Sequence, residues 1–196
     1  MTKRTRNSDL HPGSKPNIDT SSTASGNRRT RSVYTRLEKL GRVRLSQNFY
    51  FRQFLYSEIA VAYGIANIPD NEELAIEAGT NLCELVLEPI VKEFGPVIIR
   101  SGFRSATLNA FGHQRKLNCA SNERNYAAHI WDNLDAQGRM GASACIVIPA
   151  FNDGRAKYQG WDELSEHLQT TLPCTKPKRF KHDNAFNIGW RNKRGN

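Results

Sequence analysis

The sequence predicts an α+β domain in which N-terminal helices pack on a small, mainly antiparallel sheet. Two observations carry that prediction. Helical patterns come first along the chain, and short apolar runs bounded by turn residues follow, interleaved with further helical patterns. No internal repeat and no regular strand–helix alternation suggests a doubly wound sheet instead.

The elements follow in order. Residues 1–32 are rich in Ser, Thr, Asn, Gly and Arg and almost lack large apolar side chains. Such a segment cannot bury enough surface to offset its ordering entropy, so a disordered basic tail is expected through residue 44. Ser46 caps or precedes a turn. Phe51 to Tyr63 reads as a helix with Phe54, Leu55, Ile59 and Val61 among its apolar positions. Pro69-Asp70-Asn71 supplies a stop and then an N-cap signal. A longer helix is expected from there through Phe94, with Leu74, Ala78, Leu82, Leu85 and Val86 on one stripe, ended by Gly95-Pro96. Val97 to Ile99 reads as a buried strand, Ala106 to Leu117 as a helix, and 118–128 as polar and irregular. Ala144 to Ile148 is a second buried strand closed by Pro149. Trp161 to Leu172 has an amphipathic helical pattern, and Phe180 to Trp190 holds one or two short strands around Asp183-Asn184. The domain is thus expected over 45–191, with 192–196 as a basic C-terminal end.

The 196 residues suit one domain plus tails, and 38% hydrophobic content supports a real core. The formal charge of +9 is unevenly placed: residues 1–44 carry +8, residues 173–196 carry +6, and the middle carries −5. Any electrostatic partner is therefore expected at the ends. Arg28, Arg29 and Arg31 form a cluster suited to nucleic-acid phosphates or an acidic protein. No stretch approaches the roughly 20 apolar residues that span a bilayer. The opening Met1-Thr-Lys-Arg-Thr-Arg6 leads into no apolar run, so no secretory leader is expected. Four scattered cysteines (Cys83, Cys119, Cys145, Cys174) make no Cys-x-x-Cys pair, which fits thiols in a reducing cytosol.

From Leu45 to Pro149 the order of features resembles that of the zinc D-alanyl-D-alanine peptidases that act on peptidoglycan. "LSQNFYFRQFLYSEIAVAYGI" is similar to the family's opening helix, and "LVLEPIVKEFGPVIIRSGFRS" to its helix, strand and Ser-Gly-Tyr-Arg-Ser turn, with Phe103 at the Tyr position. "LNAFG" continues as the family does. His129, followed by Gly141-Ala-Ser-Ala-Cys-Ile146, resembles the family's His-x-x-Gly-x-Ala-x-Asp-Ile segment. The resemblance covers a little more than half of the chain.

The resemblance implies a catalytic zinc held by two His and one Asp with an open position for water, a general base just before the last His, and an Arg that steadies substrate charge. Carried over by position, Arg104 is the family Arg and His129 the first ligand. Cys145 stands in the Asp position, where a thiolate can still bind zinc. Residues 132–139 look inserted, with Asp132 or Asp135 able to approach the site. Ile188 falls at the base position and Arg191 at the third-ligand position, and neither side chain can do that chemistry. His182, beside Asp183, is a substitute third ligand in another register. Trp131, Trp161 and Trp190 are expected in the core or at its rim rather than as a sugar platform.

Three functions are therefore expected. The first is a catalytically degenerate D,D-peptidase-like module that binds peptidoglycan peptides or other virion proteins, with a bacteriophage particle as a setting that suits its basic ends. The second is an active zinc peptidase using His129, Cys145 and His182. The third is a nucleic-acid-associated protein that binds through its tails.

Overall fold

The computed structural model describes residues 20–158, 160–180 and 184–192, with only the backbone for 20–27 and 29. The class is α+β. Nine α-helical segments among the described residues surround one four-stranded antiparallel sheet of order β1-β2-β4-β3.

Helix α1 spans Thr20–Gly41. It runs through the segment that composition assigns to a disordered tail, because composition averages over a spacing that matters. Val33, Leu37 and Leu40 recur at i, i+4 and i+7 and meet the body; Leu40 is buried and the other two pack against the core. Arg36 fastens the same turn to Glu72 at 2.7 Å and to the Pro69 carbonyl. The folded unit therefore begins before residue 45.

The helix expected over 51–63 is two short ones, α2 (Arg52–Leu55) and α3 (Glu58–Tyr63). Ser57 separates them: its backbone is extended and its hydroxyl accepts from Ala60 N, so it starts a new helix. Gly64 ends α3 at φ 64°, a conformation that glycine adopts without strain.

The long helix is continuous but locally underwound. α4 (Glu72–Leu82), capped by Asn71, passes through a π turn at Cys83–Leu87 into α5 (Glu88–Phe94). The π turn directly precedes Pro89, whose ring cannot donate to the Leu85 carbonyl and would clash with it in a regular helix. The Glu88 N–H instead bonds Cys83 O, five residues back. This shift of phase turns Leu85, expected on the apolar stripe, outward to 40% exposure, while Val86, Leu87 and Ile90 stay buried.

Strand β1 (Ile98–Ser101) leads through a turn into α6 (Ala106–Gln114), and a short α7 (Asn122–Asn125) lies in the irregular stretch. Then come β2 (Gly141–Val147), α8 (Pro149–Asn152), α9 (Trp161–Thr171), and the pair β3 (Lys178–Phe180) and β4 (Ala185–Arg191).

Alternation along the strands sorts their side chains onto two faces. Ala142, Ala144 and Ile146 of β2 lie opposite Trp190, Ile188 and Phe186 of β4, and all six are buried. Ala75, Ala78, Gly79 and Leu82 of α4 are buried beside this sheet, with α4 in contact with both β2 and β4. Trp131 is fully buried against Phe51, Phe54 and Phe103, with ring centroids 5.3–6.1 Å apart, and Nε1–H donates to Ser143 O. It is a core side chain, as is Trp190, and Trp161 packs at the core's edge on Phe186. Each of the four cysteines stands as a thiol, and no described helix is long and apolar enough to cross a membrane.

Candidate functional site

The other face of the sheet floors a cleft of about 750 Å³. Residues paired directly across antiparallel strands share a face. Ser101, Cys145, Asn187 and Lys178 therefore form one row across all four strands, and all four line the cleft. Arg104 and His129 complete its wall.

The turn after β1 sets Arg104. Gly102 leaves no room for a side chain there, since a Cβ would stand 2.7 Å from Phe54 Cδ1 and 2.8 Å from its Cβ. Phe103 is buried, and Ser105 caps α6 by accepting from Leu108 N. Asn67, also buried, clamps this turn. Its amide donates to the carbonyls of Leu55 and Phe103, and its Oδ1 accepts from Ser105 N at 2.8 Å.

Beyond the turn, Arg104 Nη1 donates to Asn109 Oδ1 at 3.3 Å and to Cys119 Sγ at 3.2 Å. Fully buried Asn109 is itself held by Ala120 O, Asn122 and Asn125. Among the described residues, Nε and Nη2 of Arg104 donate no hydrogen bond.

His129 is bound to the same turn at two points. Its carbonyl accepts from Arg104 N at 2.7 Å, and its Nδ1 lies 2.9 Å from Gly102 O. A carbonyl only accepts, so the proton sits on Nδ1 and Nε2 keeps its lone pair. Burial, and next the charge of Arg104, push this imidazole from 6.5 down to about 4, against the bond to Gly102. It is neutral at pH 7.

The linkage has a definite sign. The folded form binds the His129 proton less readily than the unfolded chain, so stability is present above about pH 6.5 and is lost as pH falls toward 4. The loss attributable to this ring is on the order of 2–3 kcal/mol. Urea melts across this window should show a smaller loss for His129→Gln than for the wild type, and equal losses would count against the assignment.

The structure places Arg104, His129 and Cys145 on the lining of one cleft. The remaining expectations fare differently. His182 lies outside the described residues. Ile188 is buried in the core on the opposite face of β4. Arg191 pairs with Asp135 at 3.4 Å and donates to Ala127 O, so it serves the 127–139 segment. The β4 residue that faces the cleft beside Cys145 is Asn187, four positions before Arg191. Sequence matching misses it because strand register cannot be read from the chain, and a two-residue alternation alone allows several partners.

Neither insertion carboxylate lines the cleft. Asp132 is buried and accepts from Asp70 N at 2.7 Å; burial pushes its carboxyl above the usual range. Asp135 closes its own loop onto Arg139. Arg28 and Arg31 are exposed on α1, whereas the side chain of Arg29 is outside the description.

A catalytic zinc needs three protein donors. The cleft's described residues include Glu58, Cys119, His129 and Cys145, and the residue paired across from Cys145 is the neutral amide of Asn187. Among the described residues no three His, Cys, Asp or Glu side chains group as metal ligands. Among the described residues the wall carries Arg100, Arg104 and Lys178 against Glu58, a balance suited to an anion rather than a divalent cation. No family model, characterised protein or solved structure matches this chain.

Proposed function

We infer that this chain is a divergent relative of the zinc D,D-peptidases whose cleft binds the terminal carboxylate of a peptide without cleaving it. The observation that carries this reading is the Arg104 guanidinium. One end is held by Asn109 and Cys119 and the other is turned to a cleft in whose described lining cations outnumber carboxylates. A carboxylate can take two parallel N–H bonds from such a group. The order of helix, strand, Ser-Gly-Phe-Arg-Ser turn and His129 supports the family reading. Asn187 beside Cys145 supports the loss of catalysis, because an amide neither takes a proton at neutral pH nor matches a His or carboxylate as a zinc donor.

Calorimetric titration with a peptide ending in D-Ala-D-Ala tests the reading. Binding is expected for the free carboxylate and not for the C-terminal amide. Arg104→Ala should weaken it about 10- to 100-fold, the loss of one charge-assisted contact of about 1.5–3 kcal/mol. Hydrolysis of that peptide by protein purified with stoichiometric zinc, with both lost in His129→Ala, would establish the active peptidase instead. The sharing of one cleft by His129 and Cys145 is the observation that favours that second reading.

A further inference from the structure

We propose that the cleft recognises two separated negative charges on one peptide. The terminal carboxylate lies at the β1 end, and an acidic side chain three or four residues earlier lies at the β3 end, on Lys178. This rests on the reading of the cleft as a peptide-carboxylate site and adds what the rest of that peptide must carry.

The strands set the positions of the charges. In β1, Ile99 packs against the core, so alternation turns Arg100 to the other face. Ile99 pairs with Ile146 and Ser101 with Cys145, its neighbour in β2, which leaves Arg100 as the extra residue of a bulge. The bulge turns Ser101 the same way as Arg100, and both line the cleft. With Arg104 in the turn that follows, two guanidiniums border the β1 end. In β3 the same alternation separates Lys178 and Phe180, which line the cleft, from Arg179, which lies over Trp161 on the opposite face.

Strands β1 and β3 are the two borders of the sheet, so these cations stand at opposite ends of the row Ser101, Cys145, Asn187 and Lys178. Neighbouring strands lie about 4.8 Å apart, and the row therefore covers about 14 Å. An extended peptide advances about 3.3 Å per residue, so one laid across the strands from Arg104 passes Lys178 about four residues from its end. The length of the lysine side chain brings the third residue within reach as well.

The middle of the row decides between ligands. Cys145 and Asn187 present a thiol and a carboxamide there. Nucleic acid carries a charge at every repeat and would leave part of it over these two groups. A peptide has polar amides in that place, which the Asn187 carboxamide and the Ser101 hydroxyl can meet as donors or acceptors. Glu58, in the same lining, belongs to α3 and stands outside the row. Lys178 is exposed, so its pairing with a carboxylate adds selectivity more than affinity.

The test is a set of acetylated seven-residue peptides ending in D-Ala-D-Ala, with serine elsewhere and one Glu moved from two to six residues before the last. Calorimetric titration should give the tightest binding with Glu three or four residues before the last, about three- to fivefold above the all-serine peptide. Lys178→Gln should bring the ratio between those two peptides to one. Lys178→Glu should reverse the preference in favour of Lys at the same place. Both variants alter an exposed side chain and are expected to melt at the wild-type temperature, and the peptide series on the unaltered protein tests the proposal without them. A flat series, or a ratio that Lys178→Gln retains, overturns the proposal and leaves the carboxylate reading standing. Equal binding of the all-serine peptide and its C-terminal amide, or no binding by any peptide, overturns both. An oligothymidylate that displaces the best peptide and binds more weakly to Lys178→Gln overturns the proposal as well, because the row would then follow phosphates.

Discussion

Trp131→Ala is expected to lower the stability of the fold by about 3–5 kcal/mol, the range for emptying a large aromatic site in a core. Trp131 is fully buried where the two halves of the chain meet. Phe51 stacks on it at 5.8 Å with its plane tilted by only 4°, and Phe54 and Phe103 close the other sides. Gly79 of α4 exists as glycine for the same reason, since a Cβ there would lie 2.8 Å from Trp131 Cζ3. Three separate elements, α2, the turn after β1 and α4, therefore rest on one indole. Natural domains are held by about 5–15 kcal/mol, so the loss consumes a large share of the total. Urea denaturation reads it as a lower midpoint at unchanged slope. A shift worth less than about 1 kcal/mol would show that the aromatic group closes over the void.

Asn67→Ala is expected to act on both stability and ligand binding. Its side chain makes three hydrogen bonds with backbone groups of Leu55, Phe103 and Ser105, and it is 3% exposed. Alanine would strand two carbonyls and one N–H in the interior, at a cost of about 2–4 kcal/mol. These are the groups that fix the turn carrying Arg104. The variant should therefore bind the carboxylate peptide more weakly even under conditions where it is fully folded, as judged by circular dichroism. Full retention of binding in folded Asn67→Ala would mean that the turn is held by β1 and α6 alone.

Much of the fold is legible in the sequence where one period dominates. The amphipathic stretch from Trp161 gives α9 to within a residue, and the β-branched runs near Ile98 and Ile146 give β1 and β2, although β1 is an edge strand with Ile98 54% exposed and not the buried strand expected. Legibility fails where a local signal interrupts the period. A single capping hydroxyl at Ser57 splits one expected helix into two, and Pro89 forces a π turn that turns Leu85 outward. It fails again where polar composition masks sparse apolar residues, as in α1. For the cleft, Arg104, His129 and Cys145 can be picked out in the sequence because each lies beside a local motif, and all three line it. Asn187 is not, because it reaches the cleft only through the register of β4 on β2. The amide network of Asn109, Asn122 and Asn125 is equally hidden, since its members are distant or unpatterned in sequence and meet only when α6 and α7 pack.

The outermost strand has a bearing on how the protein behaves in concentrated solution. β3 is three residues long, and Lys178 and Arg179 are both exposed. Arg179 is drawn 5.8 Å over the ring of Trp161, which keeps its charge close to the sheet. A foreign strand seeking to extend the ladder at this side would find few backbone groups and two cations in its path. Short, charged border strands are the means by which β-containing proteins resist growing into fibrils.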